Sequence, residues 1–272
     1  MSTAWIIASG KGGVGKSTIT ACTGQQMARD GLKVCIVDGD VGLRDQDAIL
    51  GLENRIVFDL LDVAQDTCRL EQALISPTDQ ERLSLLPASQ FARAKELKPG
   101  AFRRILKQLK LLFDIVLIDC PAGIERSLRG LLNEEIDECV LVCTPDDVCI
   151  RNAERTASVM ANKGLPRPRV IVNRLDEALV RSGEMYAAAT VAVTLDLALL
   201  GEVPDDPFVY RAALTHQPLM HIDCEARDAL VRIARRMSHQ EDAPLPGIGT
   251  QHLNWFRRLF QPTLKEVRHI DR

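Results

Sequence analysis

The sequence predicts an α/β fold built on one mostly parallel, doubly wound sheet. Short apolar runs rich in Val and Ile recur along the chain, and stretches of helical character separate them. The runs lack strict alternation of polar and apolar residues, which favours strands that helices cover on both faces. The chain has 272 residues, 46% of them hydrophobic, which suits one large domain or two small ones. Because no domain-scale linker occurs before residue 240, we expect a single domain.

Six runs are predicted to be strands and four stretches to be helices. The strand runs are 5–8, 34–37, 83–86, 115–118, 139–142 and 170–172. The helix candidates are 17–29, 100–112, 148–162 and 224–238. Strands that alternate with helices in this way form parallel sheets through crossover connections.

The chain is predicted to have three segments. The folded domain spans residues 1–240, a flexible linker spans 241–251 and a tail spans 252–272. The linker contains Asp-Ala-Pro-Leu-Pro-Gly-Ile-Gly at 242–249, which cannot hold a helix or a strand. No run of about 18 apolar residues occurs that would span a membrane, since the longest candidate, 187–200, is broken by two threonines and an aspartate.

Charge and cysteine usage narrow the class of protein. The formal net charge is −3, so the body is not an obvious nucleic-acid binder. The eight cysteines are scattered and form no C-x-x-C pair. This favours free thiols in a reducing cytosol over disulfides or an iron–sulfur site.

A phosphate-binding loop follows the first predicted strand. Residues 10–17 read Gly-Lys-Gly-Gly-Val-Gly-Lys-Ser and fill the pattern G-x-x-x-x-G-K-[ST] between a strand and a helix. Lys16 is expected to reach the β- and γ-phosphates, and the Ser17 hydroxyl to bind Mg²⁺. Backbone amides and the helix N-terminus add further attraction for phosphate. The residues expected to bind nucleotide here are Gly10, Lys11, Gly12, Gly13, Val14, Gly15, Lys16, Ser17 and Thr18. The sequence therefore predicts a single-domain P-loop NTPase.

The loop carries a second lysine, Lys11. A lysine at this position can act on nucleotide bound in a neighbouring subunit. This indicates a nucleotide-dependent dimer switch, and we assign Lys11 and Lys16 to catalysis.

Acidic residues directly follow two predicted strands. Asp38 and Asp40 follow the run at 34–37, and Asp119 follows the run at 115–118. A phosphate loop needs such carboxylates to hold metal and to position water. We assign Asp38 and Asp119, with Ser17, to Mg²⁺, and either Asp38 or Asp40 to orienting the attacking water. The alternative is that these aspartates simply begin loops.

Asn173 follows the predicted strand at 170–172. Its amide could read the edge of an adenine base. The alternative is an ordinary turn residue at the end of a strand.

The tail has the pattern of an amphipathic helix. Its apolar and flanking basic residues are Leu253, Trp255, Phe256, Arg257, Arg258, Leu259 and Phe260. Residues 252–272 hold five basic and two acidic side chains, or +3, so the other 251 residues carry −3 − 3 = −6. A basic, aromatic-rich tail on an acidic body predicts a helix that lies in the plane of an anionic membrane. The alternative is a helix packed on the body or on a partner protein.

These motifs together resemble those of the MinD/ParA family of deviant Walker A ATPases. The resembling stretches are 11–17, 37–47, 50–51, 86–90, 119–125 and 203–206. The likeness runs from residue 4 to about 238 and resumes in the tail. Within the family, the stretch 37–47 most resembles the members that help to place the bacterial division septum.

The resemblance implies an ATPase that uses ATP and Mg²⁺ and forms a homodimer when ATP is bound, with Lys11 crossing to the partner's nucleotide. Asp40 would lie in a first switch segment and help to position water, and Asp119 would begin a second switch segment. Asn173 and Pro204 resemble the residues beside the adenine. One departure is Asp45, where the family usually has Asn; the added negative charge either weakens dimer closure, alters partner binding or is harmless in solvent.

The resemblance also implies a role in placing the bacterial division septum. Its partners would be a MinC-like division inhibitor, a MinE-like topological factor that stimulates hydrolysis, and anionic lipid on the cytoplasmic face of the inner membrane. The alternatives are a regulator of flagellar number, a ParA-type DNA-segregation ATPase and a metabolic synthetase on the same fold. No nucleic acid is expected to bind, because DNA affinity would need a basic face.

Overall fold

A computed structural model describes residues 2–41, 44–89, 97–123 and 130–239. In these ranges seven strands form one sheet in the order β3-β2-β4-β1-β5-β6-β7, and all neighbouring strands run parallel. The strands are β1 Thr3–Ala8, β2 Val34–Asp38, β3 Leu83–Leu86, β4 Ile115–Asp119, β5 Glu138–Cys143, β6 Arg169–Leu175 and β7 Ala198–Pro204. The predicted α/β class and parallel sheet are confirmed.

Ten α-helices are described in the same ranges. They are α1 Lys16–Arg29, α2 Gln46–Leu50, α3 Leu60–Ala64, α4 Leu70–Ala73, α5 Pro99–Leu112, α6 Asp147–Ala161, α7 Glu177–Ser182, α8 Ala188–Leu195, α9 Pro207–Thr215 and α10 Glu225–Met237. Short 3-10 turns occupy Glu53–Arg55 and Leu219–His221. The four predicted helices, now α1, α5, α6 and α10, agree with the structure to within one residue at each end.

Several helices begin at an aspartate cap. The Asp146 side chain accepts a hydrogen bond from the Cys149 amide at the start of α6, and Asp206 accepts one from the Phe208 amide at the start of α9. Such caps satisfy amides that have no partner inside the helix. The caps fix where each helix leaves the carboxyl end of a strand.

The core lies on both faces of the sheet. Along β1, Trp5 and Ile7 belong to one buried cluster, while Ile6 belongs to the other. The first cluster contains Ile19 of α1, and the second contains Phe102 of α5. Both sides of a central strand are therefore buried, which explains its unbroken apolar sequence.

The strand register brings the predicted site together. Asp38, the last residue of β2, lies opposite Asp119, the last residue of β4, and Asp119 also lies opposite Ile7 of β1. Ile7 is three residues before the phosphate loop begins at Gly10. The loop and both aspartates therefore meet at the carboxyl edge of the sheet, where open α/β sheets bind ligands.

The seventh strand was not predicted. The apolar stretch 187–200 reads as one interrupted segment, but the structure divides it into α8 and β7. Asp196 ends the helix in the left-handed region, with φ at 52°. Gly201 of β7 lies so close to α10 that a Cβ atom there would stand 2.3 Å from Cγ1 of Ile233.

Among the described residues, the helices are all too short or too polar to cross a membrane. The linker and the tail lie outside the described residues, as do the predicted membrane-binding residues Leu253, Trp255, Phe256, Arg257, Arg258, Leu259 and Phe260. The domain boundaries drawn at 240 and 251 stay predictions.

Candidate nucleotide-binding site

The predicted phosphate loop joins β1 to α1 in a conformation that requires glycine. Gly13 and Gly15 have φ angles of 75° and 90°, in the left-handed region that side chains disfavour. A Cβ atom on Gly15 would also lie 2.4 Å from Nδ2 of Asn173. At the start of the loop, a Cβ atom on Gly10 would lie 2.4 Å from the backbone carbon of Asn152 in α6. The loop is therefore packed between the end of β6 and α6.

Lys16 and Asp119 form a buried ion pair at the base of the loop. Lys16 Nζ lies 2.5 Å from Asp119 Oδ1, and the two side chains are only 6% and 1% exposed. Burial lowers the pKa of Lys16, but the charge and hydrogen bond of Asp119 outweigh burial and raise the pKa overall. Lys16 Nζ also lies 3.4 Å from Ser17 Oγ. Lys16 thus contacts both Asp119 and Ser17, two of the residues predicted to hold the metal.

Asp38 is fully buried beside this pair. Its Oδ1 accepts a hydrogen bond of 3.0 Å from the Asp40 amide, and its Oδ2 accepts one of 3.1 Å from the Gln46 amide. Burial, and then the neighbouring charge of Asp119, raise the pKa of Asp38 to about 7. The site thus holds two carboxylates that repel each other, an arrangement that favours binding of a cation.

Asp40 and Asp45 lie further out in the segment that joins β2 to α2. Burial raises the pKa of Asp40, Lys16 opposes that rise, and the exposed Asp45 adds to it. Asp45 makes no side-chain hydrogen bond that caps α2. Asp45, which departs from the pattern of the resembling family, thus contributes to the raised pKa of Asp40 through its negative charge.

Gln46 is a site residue that the sequence did not single out. Its Nε2 donates to Asp119 Oδ2 at 2.7 Å and to the Ser17 carbonyl oxygen at 3.0 Å. These partners are 73 and 29 residues away in the sequence. No local pattern marks such a residue, because its role depends on how α2 packs against the loop.

A second part of the site lies at the ends of β6 and β7. Thr18, Asn173 and Pro204, all predicted to bind nucleotide, line one pocket. Val209 and Leu219 contribute apolar side chains to its wall. The Asn173 side chain donates a hydrogen bond of 2.7 Å from Nδ2 to the Val14 carbonyl oxygen of the phosphate loop. The pocket is therefore directly connected to the loop.

Lys11 differs from Lys16 in its surroundings. Its Nζ lies 3.9 Å from Asp146 Oδ1, and the two side chains are 48% and 45% exposed. An exposed pair at this distance contributes little to stability. The structure thus places the two lysines of one loop in different environments, one buried and paired and the other largely in solvent.

The residues at the carboxyl edge fit a Mg²⁺–nucleotide complex. Hydroxyl and carboxylate oxygens are the ligands that Mg²⁺ prefers, and the loop amides suit phosphate. Gln46 contacts Asp119 and Ser17 through Nε2, whereas its Oε1 is buried and has no hydrogen-bond partner among the described residues, as expected where a further polar group binds.

Comparison with known proteins agrees with this geometry. The sequence profile of the ParA family, described as NUBPL iron-transfer P-loop NTPase, matches residues 1–238. The septum site-determining protein MinD of Bacillus subtilis is 36% identical over 255 residues, covering 93% of this chain and 94% of that protein.

Two solved structures are also similar to the chain. MinD in a MinC:MinD cell division complex from Aquifex aeolicus is 32% identical, with a TM-score of 0.81 over 90% of this chain and 98% of that chain. MinD from Pyrococcus horikoshii, solved with Mg-ADP, is 26% identical, with a TM-score of 0.78 over 89% of this chain and 100% of that chain. Fold, phosphate loop and relatives agree, and the chain belongs to the MinD septum site-determining proteins of the ParA family of P-loop NTPases.

Proposed function

We propose that this protein is an ATP-dependent switch that helps to place the division septum. It dimerises with ATP bound, recruits a MinC-like division inhibitor to the membrane and leaves the membrane after hydrolysis. The observation that carries the proposal is the buried Lys16–Asp119 pair beside Ser17 and Asp38, in a chain 36% identical to a septum site-determining MinD.

ATP and Mg²⁺ are the cofactors that this site suits. The Mg-ADP complex of the Pyrococcus relative supports the same ligand class here. The loop amides from Gly10 to Thr18 would bind the phosphates, and Ser17, Asp38 and Asp119 would hold Mg²⁺ directly or through water. Bound Mg²⁺ supplies positive charge that stabilises the phosphate oxygens during transfer to water.

Lys16 has two sets of partners in this proposal. Without nucleotide it neutralises Asp119, which would otherwise be a buried charge without a counterion. With nucleotide it would turn to the β- and γ-phosphates, and Asp119 would then be available to hold the metal. Asp40 lies at the mouth of the same cluster and would orient the attacking water.

Lys11 would act across the dimer. Its exposed side chain and long contact to Asp146 leave it free to reach the nucleotide of a partner subunit. Asn173 and Pro204 would contact the base on the other side of the loop. Each nucleotide is then sensed by residues from both subunits.

Two protein partners are proposed, and a relative supports one of them. The Aquifex MinC:MinD complex supports a MinC-like division inhibitor as a partner of this chain. A MinE-like factor would stimulate hydrolysis and release the dimer. This would make the protein cytoplasmic in one state and peripheral to the inner membrane in the other.

The tail would supply membrane binding that depends on dimerisation. Partial burial of five apolar side chains yields about 5–8 kcal/mol, estimated from full burial at ~1.5–3 kcal/mol each. Each basic side chain near anionic lipid adds about 1 kcal/mol, and ordering some ten residues costs about 10 kcal/mol, so the balance for a single tail is close to zero. Two tails on one dimer gain avidity of roughly 10²–10⁴. Because ATP would bring two weakly binding tails together in one dimer, the bound nucleotide would control membrane binding.

Sedimentation with anionic liposomes tests the proposal. The full chain should sediment with ATP and stay in solution with ADP. Phe256→Glu should abolish sedimentation with ATP but leave ATP binding intact. Leu111→Glu, at a leucine of α5 that is 86% exposed, is the matched control and should sediment normally. Equal sedimentation with ADP and ATP would contradict the switch.

A further inference from the structure

We propose that Gln46 is a positioning residue of the Mg²⁺ site, which holds Asp119 in place and contacts the water shell of the metal. The inference rests on the proposed function, since it concerns the same nucleotide site. It goes beyond that function because it assigns the metal affinity in part to a residue that is neither a charged ligand nor part of the phosphate loop.

Gln46 connects three separate segments. Its backbone amide donates to Asp38 Oδ2 at 3.1 Å, while its side-chain Nε2 donates to Asp119 Oδ2 at 2.7 Å and to the Ser17 carbonyl at 3.0 Å. The residue is the first of α2 and is fully buried. One side chain thus fixes the segment after β2 against both the loop helix and the end of β4.

The orientation of the Gln46 amide follows from its partners. Asp119 Oδ2 and the Ser17 carbonyl are both acceptors, so the nitrogen must face them. A flipped amide would place three oxygens against one another. Oε1 therefore faces away from both acceptors, and it is buried with no hydrogen-bond partner in the part of the chain that the structure describes.

An acceptor buried in this way needs a donor. The site residues nearest to Gln46 in the hydrogen-bond network are Ser17, Asp38 and Asp119, the three predicted metal ligands. Mg²⁺ keeps several of its waters when it binds to proteins, and these waters are strong donors. A water bound to Mg²⁺ would supply the donor that Oε1 lacks.

Gln46 and Lys16 hold different oxygens of Asp119. Lys16 Nζ and, more weakly, Thr20 Oγ1 contact Oδ1 at 2.5 and 3.4 Å, whereas Gln46 contacts Oδ2. When Lys16 turns to the phosphates, Gln46 remains as the closest hydrogen-bond donor to the carboxylate. Groups that orient metal ligands in this manner typically change metal affinity by about 10–100-fold when removed.

The experiment measures ADP binding by the full-length protein in EDTA and then over a Mg²⁺ titration, with a fluorescent ADP. Gln46→Met replaces the amide with an apolar chain of similar length. We expect the ADP affinity of the variant in EDTA to equal that of the wild type. The Mg²⁺ concentration that gives half of the full Mg²⁺-dependent change in ADP binding should be roughly 10-fold higher for the variant. Gln26→Met is the matched control, since Gln26 Nε2 also donates to a carboxylate, Asp30 Oδ1 at 2.8 Å, on α1 away from the phosphate loop.

The outcomes separate this inference from the function it rests on. If the wild type binds ADP with Mg²⁺ and Gln46→Met has the same Mg²⁺ dependence, the role of Gln46 is wrong and the proposed function stands. If the wild type does not bind ADP at all, the proposed function fails and this inference with it. Gln46→Leu is measured in parallel, and circular dichroism checks folding. If neither variant folds, Gln46 is a structural residue and the inference is overturned.

Discussion

The carboxyl edge of the sheet holds two halves of one site that are built differently. The metal half consists of Lys16, Ser17, Asp38, Gln46 and Asp119 around the ends of β2 and β4. It is buried and charged, and its closest contact is the 2.5 Å pair of Lys16 and Asp119. The base half surrounds the ends of β6 and β7. Its three predicted nucleotide contacts, Thr18, Asn173 and Pro204, are uncharged, although Arg174, Asp205 and Asp206 also line the pocket.

Because the two halves are built differently, substitutions in them are expected to have different effects. Buried charges are stable only when each has a partner, so every change in the metal half leaves another group unpaired. The predicted base contacts depend on shape and on single hydrogen bonds between neutral groups, such as that from Asn173 to the Val14 carbonyl oxygen, which individually contribute about 0.5–1.5 kcal/mol. We therefore expect substitutions to be costly in the first half and graded in the second.

The largest effect is expected for Lys16→Met. It leaves Asp119 buried without its counterion, so the free energy of unfolding of the nucleotide-free protein should fall by about 3–5 kcal/mol. Adding Asp119→Leu to Lys16→Met removes the stranded charge and should restore at least half of that loss. Urea denaturation of both variants measures the two values. A double variant no more stable than Lys16→Met alone would show that the pair is not the source of the cost.

An intermediate effect is expected where the two halves touch. Gly15→Ala places a side chain on a residue whose φ is 90°, and the new Cβ atom would lie 2.4 Å from Asn173 Nδ2. The substitution should lower the free energy of unfolding by about 1–3 kcal/mol. Gly31→Ala is the matched control, because Gly31 has a φ of 98° but open space around it. We expect thermal or urea unfolding to show a larger loss for Gly15→Ala. Equal losses would mean that the contact between loop and Asn173 imposes no constraint.

The smallest effect on stability is expected for Lys11→Ala. Its exposed contact with Asp146 should contribute less than about 0.5 kcal/mol to unfolding. The same variant should bind ATP but fail to dimerise, which light scattering with ATP and with ADP would detect. Normal dimerisation of Lys11→Ala would contradict the role that we assign to this lysine. A large loss of stability would show that the exposed contact of Lys11 with Asp146 contributes more than we expect.

The sequence predicts the parts of the molecule that depend on local pattern. The strand run at 115–118 and the helix at 100–112 are correct because apolar periodicity and flanking residues determine them. Strand β7 was missed because its apolar residues, Ala198–Leu200, follow the apolar helix α8 with only a short break at Asp196.

Within the site, the residue types were predictable and their connections were not. The phosphate loop and the aspartates after β2 and β4 follow from motifs. The contact of Lys16 with Asp119 joins residues 103 positions apart, and the role of Gln46 depends on the packing of α2. Such contacts arise from tertiary structure, so no short pattern in the sequence encodes them.

The position of β1 in the sheet has a consequence for biosynthesis. Its two neighbours are β4 and β5, which begin at residues 115 and 138, whereas β1 itself begins at residue 3. The strand that carries the phosphate loop therefore has no edge to pair with until more than a hundred further residues have left the ribosome. Long-range parallel pairing of this kind is slow and leaves apolar strands exposed meanwhile. The nascent chain should thus gain nucleotide binding late, and its N-terminal strand should be a segment that chaperones protect during translation.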